Sequence, residues 1–304
     1  MLRSLQHAAL TVPDLEVGRA FYEGMGLETA QLGDSLVFCC PGRAQNQVRL
    51  VEGKKKRLAH VSFGTTAAEL PGLVRALEAG GTKLIDSPYK AGGDGIWFRD
   101  PDGDLVNVVA APDQPQSRPP VALNNAGDFK RLGRRGAPNR DIEATPRRLG
   151  HVLKFSLDLQ RAIDFYTGKL GMKLSDRIGN LAAFLRFGGD SDHHTLALAQ
   201  SQGTGLHHMS FEMGNLDQIQ FCAQRMIDKG YRDGWGVGRH IYGSNYFHYI
   251  RDPWNSLVEF FWDIDFIPGN AHWEVENAEA GPESLYQWAT MPPPEDFLAN
   301  FERA

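Results

Sequence analysis

Three residues in the second half of this chain are of the types that hold a reactive divalent metal: His151, His208 and Glu259. Two neutral imidazoles and one carboxylate, each on its own strand, are the donors of a facial triad. Such a set grips a dication on one face and leaves the opposite positions open. The carboxylate offsets part of the metal's charge, and strands are rigid supports for a fixed geometry. Any one of these residues alone is more often a satisfied, half-buried side chain. All three, however, stand at positions that the chain repeats.

The repeat is visible in three matched pairs. LQHAALTVPDLEVGRAFYEGMGLE (5–28) parallels LGHVLKFSLDLQRAIDFYTGKLGMKL (149–174), and in each a His is followed 14 positions later by Phe-Tyr. LAHVSF (58–63) parallels LHHMSF (206–211), and FRDPDGDLVNVV (98–109) parallels IRDPWNSLVEFF (250–261). In the first half the three positions carry His7, His60 and Asn107. A neutral amide is a poor partner for a dication, so the first site reads as vestigial and its histidines as structural. His207 adjoins His208; side chains alternate along a strand, so one of the two faces the metal, and alignment with His60 selects His208.

The elements that must position these residues follow from local patterning. The apolar run after each His predicts a strand. Segments 15–24 and 159–169 predict amphipathic helices with Asp14 and Asp158 as N-caps. Helical stretches are also expected at 68–80 and 215–230, and each Arg-Asp-Pro turn predicts a hairpin. Each half thus holds two strand–helix–strands units, giving an α+β chain of four such modules. The expected organisation is a first domain over 1–112, a Pro-, Arg- and Gly-rich linker over 113–145, a catalytic domain over 146–264, and a loop and short-helix wrap over 265–304.

Composition bounds the function. A net charge of −5 over 304 residues gives no electrostatic reason for a nucleic-acid or membrane-surface partner. The basic runs Lys54–Arg57 and Arg131–Arg135 read as solvated loops. Cys39, Cys40 and Cys222 lack metal-site spacing and form no even set, which argues against a disulfide framework. No apolar run approaches the ~18 residues of a membrane span, so a soluble, cytoplasmic protein is expected.

His194 in DHHTLAL, His240 in GRHIYGSNYFHY, and Tyr249 complete a more specific pattern. With LGHV (149–152), LHHMSF and the run from His240 through Tyr249 to Glu259, the chain resembles the type I extradiol ring-cleavage dioxygenases. These belong to the vicinal oxygen chelate (glyoxalase/bleomycin resistance/dioxygenase) superfamily, and biphenyl-2,3-diol and catechol dioxygenases are examples. The resemblance implies four βαβββ modules paired into two similar domains, each an open, mostly antiparallel, barrel-like sheet with helices outside. It implies Fe(II), or Mn(II), on His151, His208 and Glu259, with a catechol and O2 as small-molecule partners, and a homo-oligomer. Tyr249 and His240 would hydrogen-bond the bound diol, and His194 would face dioxygen and act as general acid. His193 and His248 are expected to point away. Two departures stand out: Ile241-Tyr242-Gly243 replaces an Asn-Asp pair beside the substrate, and Trp254 occupies the DPWNS turn. A glyoxalase- or epimerase-like metalloenzyme, 4-hydroxyphenylpyruvate dioxygenase, and a non-enzymatic small-molecule binder remain the rival readings.

Overall fold

The structure, a computed structural model, describes residues 1–137, 143–281 and 283–302. The first half forms strands β1 (Ser4–Val12), β2 (Glu28–Leu32), β3 (Ser35–Cys39), β4 (Asn46–Glu52), β5 (Arg57–Thr65), β6 (Leu84–Ile85), β7 (Ile96–Arg99) and β8 (Leu105–Ala110), with helices α1 (Leu15–Gly24) and α2 (Leu70–Ala79). A connecting hairpin, β9 (Asn124–Asn125) and β10 (Asp128–Phe129), precedes the second half. That half comprises β11 (Arg148–Ser156), β12 (Lys173–Ile178), β13 (Ala182–Arg186), β14 (Ser191–Asp192), β15 (Leu196–Gln200), β16 (Gly205–Glu212), β17 (Asp233–Arg239), β18 (Tyr246–Arg251) and β19 (Leu257–Trp262), with helices α3 (Leu159–Gly168) and α4 (Leu216–Asp228). The tail adds β20 (Phe266–Ile267), β21 (Glu276–Ala278) and β22 (Trp288–Ala289).

Helices begin where their caps dictate. The Asp14 carboxylate accepts from the backbone N–H groups of Glu16 and Val17, and that of Asp158 accepts from Arg161 N–H. Each cap satisfies donors that the first helical turn leaves without a partner.

The two sheets share one topology. The first runs β2-β3-β4-β1-β5-β8-β7-β6, and the second runs β12-β13-β15-β11-β16-β19-β18-β17 between the edge strands β21 and β22. Within each half only the pairs β1–β4, β5–β8, β11–β15 and β16–β19 are parallel, and neither sheet closes on itself. The expected four modules are present, as open sheets with the helices outside.

Register explains why three distant residues meet. His151 lies opposite Ser210, and Ser210 opposite Glu259, forming one row across β11, β16 and β19. His208 is two residues before Ser210 and so shares its face. His7, Ser62 and Asn107 form the same row across β1, β5 and β8. Irregularities fall at matching places: register slips between Leu5 and His7, and between Leu149 and His151, and each slip leaves one residue unpaired just before the histidine. Such bulges re-aim the next side chain.

The halves are pinned together by buried lysines. Lys154 of β11 sends its ammonium into the turn of the first half, 2.5 Å from Asp100, 2.6 Å from Asp104 and 3.3 Å from Asp102. Those three carboxylates could together hold a cation, and the lysine is that cation. In the opposite sense, Lys56 reaches Ser256 in the second half's turn and Glu302 of the tail at 2.5 Å. Lys56 is therefore buried, which corrects the reading of its basic run as a solvated loop. The Trp254 ring packs across α1, where a Cβ on Gly18 would stand 3.3 Å from it; a large side chain in that turn thus fills the seam between the halves. The cysteines are free, and no described helix is long and apolar enough to cross a membrane.

The tail also departs from expectation. Among its described residues there is no α-helix; it adds β21 to β12 and β22 to β17, so it extends the second sheet rather than only wrapping it.

Candidate metal centre

The row on β11, β16 and β19 converges in a buried cluster. His151 Nε2 lies 2.9 Å, and His208 Nε2 3.5 Å, from Glu259 Oε2. His208 Nε2 and Glu259 Oε2 nonetheless lack hydrogen-bond partners among the described residues. Buried polar atoms are seldom left unsatisfied without a reason. Lone pairs that aim at a common point rather than at one another suit a metal, and the donor set fits a divalent ion such as Fe(II) or Mn(II).

Electrostatics agree. Burial alone would push the Glu259 carboxyl up, but His151, His240 and His208 around it hold it well below the usual carboxylate range, so it is charged. Burial, reinforced by His207, holds His208 well below the usual imidazole range and therefore neutral. Asn245 donates its amide to Glu259 Oε1 at 3.1 Å, steadying the carboxylate through the oxygen that also lies 3.4 Å from His240 Nε2. Sequence reasoning assigned Asn245 no role; a polar residue inside GSNYFHY was the available signal.

The remaining expected residues surround this cluster. Tyr249, directly opposite Glu259 in the ladder, bonds His240 Nε2 at 2.9 Å. His240 Nδ1 donates to the Leu285 carbonyl at 2.6 Å, which fixes its ring. Burial and the Glu259 charge push the Tyr249 phenol well above its usual range, so it serves as a donor. The His194 ring packs against His151, with its centroid 4.3 Å from that of His151. Gly243 has φ +90, and a Cβ there would come within 3.1 Å of His194. The backbone at Gly243 thus needs glycine for conformation and for clearance alike.

Two neighbouring histidines touch those of the site. His193 points away from the cavity, as expected, and touches His194 from outside it: its Nδ1 meets His194 Nδ1 at 3.0 Å, while its Nε2 meets Asp176 at 2.6 Å. Neither residue pairs with Asp192, which is held by Arg148. His207 also touches the site, because the ladder pairs Leu153 with His208 and Lys154 with Leu206 and leaves His207 as the extra residue of a bulge. The bulge breaks strict alternation and brings His207 Nδ1 to 2.7 Å from His208 Nδ1. His248 does face elsewhere, bonded to Gln220 and Asp233.

A cavity opens over the cluster. Its walls include Ile178, Leu181, Phe184 and Tyr242 from the second half and Leu285, Phe297 and Leu298 from the tail. Tyr242 stacks on Phe184 with centroids 5.5 Å apart. The described lining carries no Asp, Glu, Lys or Arg. Ile241, in contrast, is exposed.

In the first half the equivalent atoms are occupied by one another. His7 Nε2 bonds His60 Nε2 at 2.8 Å, and His60 Nδ1 bonds the Tyr89 hydroxyl. Asn107 accepts from Ser62 and donates to the carbonyls of Asp94 and Ile96. Arg49 lies over the Tyr89 ring, and burial and its charge hold His7 down to about 4. A positive neighbour and satisfied donors make this a poor cation site.

Comparison with known proteins agrees with this architecture. A model of the Glyoxalase/Bleomycin resistance protein/Dioxygenase superfamily matches residues 4–108 and 148–260. The chain belongs to that superfamily. It is 40% identical to Metapyrocatechase 2 of Cupriavidus necator, over 99% of this chain and 93% of that protein. Among solved structures it resembles a Mn(II)-bound glyoxalase from Novosphingobium aromaticivorans (TM-score 0.82, 23% identity, covering 98% of this chain and 94% of that one). It also resembles a halotolerant catechol dioxygenase (TM-score 0.75, 21% identity, covering 98% and 97%). At those identities the structural likenesses speak to the fold.

Proposed function

We propose that this chain is an extradiol dioxygenase that opens a catechol-type ring beside its diol, incorporating both atoms of O2. The observation that carries the reading is the buried, unsatisfied His151–His208–Glu259 cluster, with His194 packed on His151 and the bonded His240–Tyr249 pair beside Glu259. A binding module has no use for such an arrangement. A glyoxalase-like enzyme that draws ligands from both halves is disfavoured by Asn107 and the His7–His60 bond.

His151, His208 and Glu259 would hold Fe(II), or Mn(II) with the same donors. The metal, when bound, would provide the place where diol and dioxygen meet and a path for electrons from the one to the other. The chain's residues do the rest. The Tyr249 phenol and His240, pinned by the Leu285 carbonyl, hydrogen-bond the diol oxygens and orient the ring. His194 presents its imidazole on the dioxygen side, where it can donate a proton as the O–O bond breaks. The apolar walls exclude water from this chemistry. Because no charged side chain lines the cavity, the substrate is a catechol that is unsubstituted or carries a neutral, apolar group, since a carboxylate there would lose its hydration without gaining a partner. In this reading residues 146–264 form the catalytic domain, 1–112 the domain with the vestigial site, 113–145 the linker and 265–304 the tail, in a cytoplasmic, multimeric enzyme.

The test is direct. Reduced, iron-loaded protein given catechol, 3-methylcatechol, 2,3-dihydroxybiphenyl and 3,4-dihydroxyphenylacetate under air is expected to produce a yellow ring-opened product with matching oxygen uptake. The carboxylated substrate should be the poorest. No colour and no uptake across the panel would overturn the assignment; preference for the carboxylate would overturn the substrate class.

A further inference from the structure

We propose that Asp176 and His193 are positioning residues that act through His194, fixing the orientation in which its Nε2 meets the reacting molecules. The inference rests on the reading of His194 as the group on the dioxygen side. His193 and Asp176 are buried, yet neither lines the cavity nor belongs to the metal cluster. Their polar atoms are spent on one chain of contacts. Asp176 Oδ1 accepts from the Glu276 N–H of the tail strand at 2.6 Å, and its Oδ2 accepts from His193 Nε2–H at 2.6 Å. His193 Nδ1 then meets His194 Nδ1 at 3.0 Å. The His193 backbone is held by Ser175, whose hydroxyl donates to its carbonyl at 2.5 Å, and the edge of Trp273 packs on its ring.

Ring packing alone cannot do this job. His194 touches the tilted rings of His151 and Phe184, at centroid distances of 4.3 and 5.1 Å. Those contacts limit its plane but tolerate a half-turn about the Cβ–Cγ bond. A half-turn would exchange Nδ1 with Cδ2 and put Cε1 where Nε2 stood. A hydrogen bond at Nδ1 distinguishes the two states, and among the described residues it comes from His193. Whichever ring provides the proton of that contact, Nδ1 is engaged and Nε2 is left for the cavity.

The experiment uses full-length, iron-loaded protein and begins with His194→Ala. If that variant keeps full turnover, the role of His194 falls, and the inference with it. If it loses turnover, His193→Ala and Asp176→Ala are each expected to lower kcat by about 10–100-fold, in the range seen when groups supporting a site residue are removed. Iron content, KM and anaerobic catechol affinity should stay within about twofold of the parent on the same reasoning. In His193→Asn the amide oxygen stands where Nδ1 stood, so much of the turnover should return; in His193→Gln the amide reaches only toward Asp176, so turnover should stay low. That pair decides the matter if the alanine variants do not fold. Adding His193→Ala to His194→Ala should slow the enzyme no further, because two residues that act as a unit are not additive. Parental kcat in His193→Ala, equal rates for the Asn and Gln variants, or a multiplicative loss in the double variant would each overturn the proposal.

Discussion

Replacing His207 by alanine should weaken metal binding without touching a ligand. The Phe297 carbonyl, 2.7 Å from His207 Nε2, can only accept, so Nε2 carries the proton. Burial pushes His207 down to about 4, so at pH 7 the ring is neutral and its Nδ1 is a lone pair. That lone pair accepts from His208 Nδ1–H at 2.7 Å. His208 must then keep its own lone pair at Nε2, on the side of Glu259. Without His207 both tautomers of His208 become available, and one of them cannot ligate. Loss of such a support typically costs 10–100-fold in affinity, which is about 1.4–2.8 kcal/mol at about 1.4 kcal/mol per tenfold. Anaerobic competition between the protein and a chelator of known affinity, with Mn(II) or Fe(II), measures this directly. Affinity within twofold of the parent would refute the tautomer argument. An equal loss in a variant altered at His248, which bonds Gln220 and Asp233 away from the cluster, would point instead to general destabilisation.

Other outcomes follow from the same geometry. His151→Ala, His208→Ala and Glu259→Ala should each bind little iron by metal analysis, while His7→Ala and His60→Ala should keep both iron and turnover; equal loss from the first-half changes would sink the one-site reading. Gly243→Ala combines a positive φ with a Cβ 3.1 Å from His194, so turnover should fall at least tenfold with iron retained, as the kinetics of the iron-loaded variant would register. His7, held near 4 in the fold against 6.5 in the unfolded chain, binds fewer protons folded than unfolded across that window. Its contribution to stability is therefore complete above pH 6.5 and is lost as pH falls toward 4. At about 1.36 kcal/mol per unit, trimmed for its partial exposure, this is on the order of 2 kcal/mol. Urea unfolding at pH 7 and pH 4.5 should show a smaller difference in His7→Gln than in the parent.

How much of this was legible in the sequence depends on how local each signal was. His151, His208 and Glu259 could be read because the repeat marks their positions and because a strand row needs only register. Asp14 and Asp158 could be read because an N-cap is decided within three residues. That His208 rather than His207 joins the cluster was legible from the repeat, but the contact between the two rings was not, because strict alternation assumes a regular pleat and a bulge removes that assumption at one residue. The His193–His194 contact was not legible either, because both residues precede β15. Lys56 looked like part of a solvated run because one of its counter-ions, Glu302, is 246 residues away. The tail's part in the site was invisible for the same reason: Leu285 and Phe297 contribute backbone carbonyls and apolar walls, and neither use leaves a motif.

The crossed lysines bear on why a half that the proposed function leaves without a working site should persist. Lys154 stands on the strand that carries His151, three positions further along, and its charge is neutralised entirely by the turn of the other half. Cut away the first 112 residues and the inner face of the strand that must hold a ligand steady lies open to water, its ammonium without a partner. Replace Asp100 and Asp104 while the halves stay together and the charge is stranded in the seam, which typically costs 3–5 kcal/mol, a large share of what keeps a domain folded. The silent half is thus a counterweight: free to surrender its chemistry, but not its shape.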